Sequence, residues 1–506
     1  MIFYFLRSRL LLITIGISCE LLYFFYLLRQ FPLLRYYNEM LDMGMVTQKS
    51  SAGFLWFLIV FSVLFALFGL AWWEVQRLHD RGTLWLILGF GALFSLTTIF
   101  VYPITAIDVF NYIAESIVLL DYHKNPMLVS LIQYPQDPLV YLTVGWGIYP
   151  ASYGPIGLLI DAIPTLLARH NVLANLILLK AVFSIALLAG AFVAYKILMR
   201  IGPKFALAGA LALAWNPFAL FEYSANSHND ILMVLFILFA VLALVEERPI
   251  LALTLITASA LTKYSSLPLI PLFFIYSFIH QPGKRIRYTV RASAAALLLT
   301  LLTFGPFWAG PHTFDSLSFV NNINLSSFNM FLNEISSHTI SLDQARRPGL
   351  ILFGICYLYA LCLCSNKIED MLRGCFIAMF ALMAFGVSNI EVWYAIWPFA
   401  LAILVPGIEE TVIATIFIYG ATLTELVHAY IWPWINIQAN TFAYDLVNSV
   451  AYLTIFLPAL LLLLILEGRR IFKASAQFLA TLKSKREEIL NKEAHEEVEY
   501  TPSQDA

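Results

Sequence analysis

The stretch IDVFNYIAESIVLLDYHKNP, Ile107 to Pro126, decides how the rest of the chain is read. On a helical plot of Asp108 to Leu120, Asp108, Asn111, Tyr112 and Glu115 share one face. Val109, Phe110, Ile113, Ile117 and Leu120 share the other. This pattern predicts a helix lying on a membrane surface, apolar side down and carboxylates up. A long apolar segment and Pro103 come just before it, so the helix is placed where a transmembrane span has emerged. Asp108 is thereby a candidate reactive carboxylate at the lipid–water boundary.

Composition sets the class. Hydrophobic residues make up 60% of the 506 and charged residues only 12%. A soluble fold of this length could not cover itself with so little charge. Apolar runs of about 20 residues recur, which predicts an all-α, polytopic helical membrane protein. The net charge of −2 leaves no electrostatic footprint for nucleic acid. The five cysteines lie inside apolar runs without a CxxC, so neither a metal site nor a disulfide framework is indicated.

Arg7 and Arg9 precede the first apolar run, Leu10 to Leu28, which reads as an uncleaved span with a cytoplasmic N-terminus. Spans over Gly53–Trp73 and Thr83–Tyr102 deliver the chain to the outer face just before Asp108. Two long outer loops are expected, at about 104–172 and 309–347. A loop of that length inside a compact protein is usually functional. Ile156–Leu167 is apolar but too short to cross, contains Asp161, and is placed flat or re-entrant on the outer face. Ile250–Ser277 is too short for two full spans, and both its flanks carry charge expected to be cytoplasmic. It is predicted to rise and fall as two short helices with Lys263 at the outer tip. The whole predicts about 14 helices in a catalytic domain over 1–467, followed by a charged cytoplasmic tail over 468–506.

Acids gather on the predicted outer face, among them Asp108, Glu115, Asp161, Glu222 and Asp230. No P-loop lysine or dinucleotide fingerprint is present, and the nine histidines show no zinc spacing. An enzyme at this face would lack nucleotide sugars, so its activated substrate would arrive on a lipid.

An ordered set of short motifs runs through residues 80–400. It comprises D-x-F-x-Y at Asp108–Tyr112, Asn125-Pro126, Tyr153-Gly154-Pro155, and Asn216-Pro217 followed by Glu222. His228-Asn229-Asp230, Thr262-Lys263-Tyr264, and Trp393-Tyr394 with Trp397-Pro398 complete it. This order resembles the GT-C glycosyltransferases, and within them the polyprenol-phosphate-mannose-dependent mannosyltransferases. The segment after the first tyrosine, Ile113-Ala114-Glu115-Ser116, departs from the family pattern.

The resemblance implies a GT-C-like fold and a sugar, mannose being expected, moved from a polyprenyl-phosphate donor to a lipid or glycan acceptor. No cofactor and no metal are expected. Asp108 is implied as general base; as an aspartate at a helix start it could equally cap the helix. The chemistry needs one carboxylate to take the acceptor proton and a cation to steady the departing phosphate. Lys263 is the candidate cation, against a lysine snorkelling to headgroups. Arg346, with Arg347, is an alternative that also reads as an interface anchor. His228, Asn229 and Asp230 could hold sugar hydroxyls or cap a helix. Tyr112, Glu115 and Tyr153 are candidate substrate contacts, the two tyrosines reading equally as an aromatic belt. The rival function is a flippase or exporter of lipid-linked sugars, for which paired repeats would be expected.

Overall fold

The computed structural model describes residues 2–499 apart from 106, 144, 321–322, 366 and 437–441. Among them are helices and isolated bridges but no strand. Among the described residues, nine helices are long and apolar enough to cross a membrane, and five apolar helices are shorter. The protein is thus an all-α, polytopic integral membrane protein. Two compact units are present, Met1–Phe456 and Leu457–Ala506; the site lies in the first.

Helix starts follow local chemistry. Ser50, Asp80 and Asn171 each accept a backbone N–H from the first turn of the span they precede. Ser341 and Gln344 form a reciprocal capping box at the head of Leu342–Cys362.

The segment Pro203–Ala225 is the innermost span, with 94% of its apolar window buried. Its first part, ALAGALALA at Ala206–Ala214, intersperses three leucines with alanine and glycine, small residues that let the Val172–Ile201 and Arg81–Ile99 helices pack close. Asn216-Pro217 breaks this span. The Asn216 side chain accepts from the backbone of Phe218 and Ala219, which restarts the helix. The restarted piece then widens into a π-helical turn, Leu220–Ala225, that carries Glu222.

Ile250–Ser277 folds as the two short helices expected, Pro249–Thr262 and Leu269–Ile279. Lys263 sits at the break between them in an extended conformation.

The Asp108–Leu120 helix forms with the predicted bounds, but its apolar face is not left uncovered. Ten of its 13 residues are buried, from both faces. It packs on the Pro155–Ala168 and Val172–Ile201 helices. The face expected against lipid is therefore covered by protein, and the polar face turns to other buried polar groups.

Candidate active site

Five segments converge on one buried polar cluster. Ile107 holds the cap position of the Asp108–Leu120 helix, with Asp108 one residue inside. The Asp108 side chain is 8% exposed, and its Oδ2 lies 3.7 Å from Nδ1 of His228.

His228 follows the π-helical turn and is fully buried. Its ring stacks on Trp393 with centroids 3.7 Å apart and planes 15° off parallel. Its Nε2 lies 3.5 Å from Oε2 of Glu222. Burial lowers the His228 pKa despite the opposing pull of Asp108, so the imidazole rests neutral.

The next two residues are spent on partners rather than on capping. Asn229 is the cap residue of Asp230–Val245, yet its side chain makes no capping bond. Its amide donates to Asp161 Oδ2 at 2.8 Å, and its backbone N–H points to the Tyr112 hydroxyl at 3.5 Å. Asp230 Oδ1 accepts from Lys263 Nζ at 2.8 Å and from the Trp397 indole at 2.6 Å.

Lys263 is thus held inward by a carboxylate instead of reaching for headgroups. Its ammonium stands 4.3 Å from the Tyr394 ring centre, 5.4 Å from Trp397 and 5.6 Å from Tyr153, a cation–π enclosure. Lys263, Tyr153, Tyr264, Asn389, Tyr394 and Trp397 line a cavity of about 410 Å³, a size that suits a sugar and its phosphate. One ammonium offers three donors and Asp230 takes one, which leaves Lys263 able to bind an anion there.

Asp108 does not line this cavity. Its charge acts on Tyr153 and Tyr394, both in the wall. Tyr112 is completely buried and meets Tyr153 edge-on at 5.3 Å; sealed in the protein core, it is not part of an aromatic belt. Glu115 is half-buried, and burial, then the charges of Asp161 and Asp108, push its pKa well above the carboxylate range. Arg346 is not brought to the cavity wall; it lies half-buried on the first turns of Leu342–Cys362.

Glu391 is a further acid near this cluster. It is half-buried beside Tyr394, and burial, then the charge of Asp108, raises its pKa to about 8. The signal available was its place two residues before the Trp393-Tyr394 pair. Glu334, His338 and Asp445 form one group of the right type for a metal ion, with candidate ligand atoms within 4.8 Å of one another; none of them lines the cavity.

Two features hold the cluster together. Lys180, fully buried in its span, donates to the carbonyls of Val101 and Ala225, tying the segment before Asp108 to the one before His228. Tyr153-Gly154-Pro155 presses on the Lys263 break: the Gly154 N–H donates to Thr262 O at 3.0 Å, and a Cβ on Gly154 would overlap the Leu261 carbonyl. Gly154→Ala should therefore push the Lys263 segment away. We expect a destabilisation of about 1–3 kcal/mol, measured by thermal melting.

Asp161 is buried, and burial raises its pKa to about 7 despite the Asn229 hydrogen bond and the Lys263 charge. The folded state thus holds a proton that the unfolded state has released, and stability falls as pH rises from about 4 to about 7. The melting temperature of Asp161→Asn relative to the parent should rise by at least about 2 °C between pH 4 and pH 8; a difference that stays constant with pH would contradict the assignment.

A buried acid–imidazole pair thus accompanies an aromatic cavity that carries a lysine. Comparison with known proteins narrows this. Residues 32–278 match the family described as alpha-(1->6)-mannopyranosyltransferase, N-terminal domain. Over 207 residues the chain is 27% identical to alpha-(1->6)-mannopyranosyltransferase A of Mycobacterium tuberculosis (strain ATCC 25618 / H37Rv). That alignment covers 40% of this chain and 39% of the relative, so the chain spans well under half the length of the relative it matches. Both matches bear out the resemblance to GT-C-like mannosyltransferases. The matched region contains Asp108, Tyr153, His228, Asp230 and Lys263; Arg346, Glu391 and Trp397 lie beyond it.

Proposed function

We propose that the protein is a membrane mannosyltransferase that moves mannose from a polyprenyl-phosphate donor to a hydroxyl of a lipid or glycan acceptor on the outer face. Both chain termini are then cytoplasmic. The relative's name carries an α-(1→6) linkage, and we extend that linkage to this chain, with the primary hydroxyl of a mannoside as acceptor. The position of Lys263 carries the assignment: a cation fixed by Asp230 in an aromatic-walled cavity, with a carboxylate whose charge reaches one of the wall tyrosines.

The chemistry follows from those placements. The leaving group is already a phosphate ester, so it needs positive charge rather than a proton. Lys263 supplies that charge while the tyrosine and tryptophan rings flank the sugar. Asp108 takes the acceptor proton as the new C–O bond forms and the C–O bond to phosphate breaks. With attack and departure on opposite sides of the anomeric carbon, the configuration inverts. One carboxylate suffices, unlike the paired carboxylates of glycoside hydrolysis.

The test uses purified protein in detergent with polyprenyl-phosphate mannose and a mannoside acceptor. A new α-(1→6) product is expected, and none when a nucleotide-linked mannose replaces the lipid donor. Failure to form any glycosidic product, with movement of the lipid-linked sugar across vesicles instead, would favour the flippase reading.

A further inference from the structure

The proposed transfer uses Asp108 and Lys263 but leaves a buried array unexplained. His228 is fully enclosed, and neither ring nitrogen has a conventional hydrogen-bond partner. Each nevertheless faces one carboxylate: Nδ1 faces Asp108 at 3.7 Å, and Nε2 faces Glu222 at 3.5 Å. Glu222 is likewise sealed. Its Oε2 accepts from Asn226 at 3.3 Å, and its Oε1 has no hydrogen-bond partner. The Asn226 carbonyl oxygen Oδ1 in turn takes the Ile104 N–H at 3.0 Å, in the segment leading to Asp108. A π-helical turn and a left-handed Ser227 (φ 67°) bring His228 back over Glu222, a costly backbone arrangement to keep for packing alone.

Counting protons along this line fixes their places. A general base must start ionised, so the atom facing Asp108 Oδ2 must be a donor: His228 Nδ1 carries hydrogen. The imidazole is neutral at rest, so Nε2 is bare. The proton between Nε2 and Glu222 therefore belongs to the carboxyl group. We propose that His228 is a positioning residue: its Nδ1–H donates to Asp108, and protonated Glu222 donates to its Nε2 to lock that tautomer.

Here a carboxylic acid, not a carboxylate, orients the imidazole. Stacking on Trp393 fixes the plane of the ring, and Glu222 fixes which nitrogen carries hydrogen. The two contacts are longer than closed hydrogen bonds and would shorten when substrate fills the cavity. The effect on Asp108 is to aim one carboxylate oxygen at His228 and leave the other for the acceptor hydroxyl. No covalent bond changes in this step, and no proton leaves the line.

This inference rests on the reading of Asp108 as base, and four variants separate the two. His228→Phe keeps a ring against Trp393 and removes the donor; kcat should fall on the order of 10²-fold with donor KM unchanged. His228→Asn restores an N–H near the Nδ1 position and should recover at least about tenfold of that loss. Glu222→Gln keeps a donor toward Nε2 and should stay within about threefold of the parent, a change worth well under one protonation-state effect. Asp108→Asn is assayed beside them.

Equal activity of the Phe and Asn variants would reduce His228 to packing and overturn the proposal. So would a Glu222→Gln variant as impaired as His228→Phe, since an ionised Glu222 would then be required. If Asp108→Asn is inactive while His228→Phe is fully active, this inference alone falls. If Asp108→Asn is active, the base assignment falls with it. Should His228→Phe fail to fold, the isosteric Glu222→Gln result decides between a neutral and an ionised partner.

Discussion

Asp108→Asn should lower kcat by about 10²–10⁴-fold and leave donor KM within a few-fold. The substitution removes the proton acceptor and preserves shape. The carboxylate is nearly enclosed, faces His228 and does not occupy the helix cap, so its loss should not unwind the helix. Thermal melting checks this: the variant is expected to melt no lower than the parent. Retained transfer in a well-folded variant would remove Asp108 from the chemistry. Glu391, whose carboxyl also stands beside Tyr394, would then become the leading candidate.

Lys263→Met is expected to have the second largest effect, a loss of about 10²–10³-fold in kcat with a raised donor KM. It removes the charge that meets the leaving phosphate. It also strands Asp230, whose Oδ1 would keep only the Trp397 indole and whose Oδ2 is already without a partner. A buried carboxylate deprived of its cation costs about 3–5 kcal/mol, so the single variant should be markedly less stable. The pair Lys263→Met with Asp230→Asn separates the two roles. Stability should largely return because the uncompensated charge is gone, while activity should stay lost. Recovery of transfer in the double variant would mean that Lys263 serves only to neutralise Asp230.

Much of this architecture is legible in the chain. The charge flanking Ile250–Ser277 forces two short helices, and a lysine at their junction must find a partner; the structure supplies Asp230. Tyr153-Gly154-Pro155 reads as a motif, and its reason is steric: the glycine lies against the backbone just before Lys263. The Asp108 helix shows where sequence falls short. A polar stripe opposite an apolar stripe looks the same whether the stripe meets water or a buried cluster. Only the fold brings Asp161, His228 and Glu391 to that stripe, although they lie far from Asp108 in the sequence.

The break at Asn216-Pro217 is a second case. The dipeptide is visible in the sequence, but its outcome is not, because a π-helical turn follows that rotates Glu222 under His228. Arg346 is a third: an arginine ahead of a span satisfies the rule for a phosphate ligand and for an interface anchor equally, and the structure leaves it off the cavity wall.

The most direct test is a structure of the full chain with a non-transferable polyprenyl-phosphate mannose analogue bound. Lys263 Nζ should lie within charge-assisted hydrogen-bond reach of a phosphate oxygen, about 2.7–2.9 Å, with the sugar between Tyr153 and Tyr394 and its anomeric carbon turned toward Asp108. A phosphate seated elsewhere, with Lys263 still closed on Asp230 and Asp108 walled off from the sugar, would contradict the assignment of both residues.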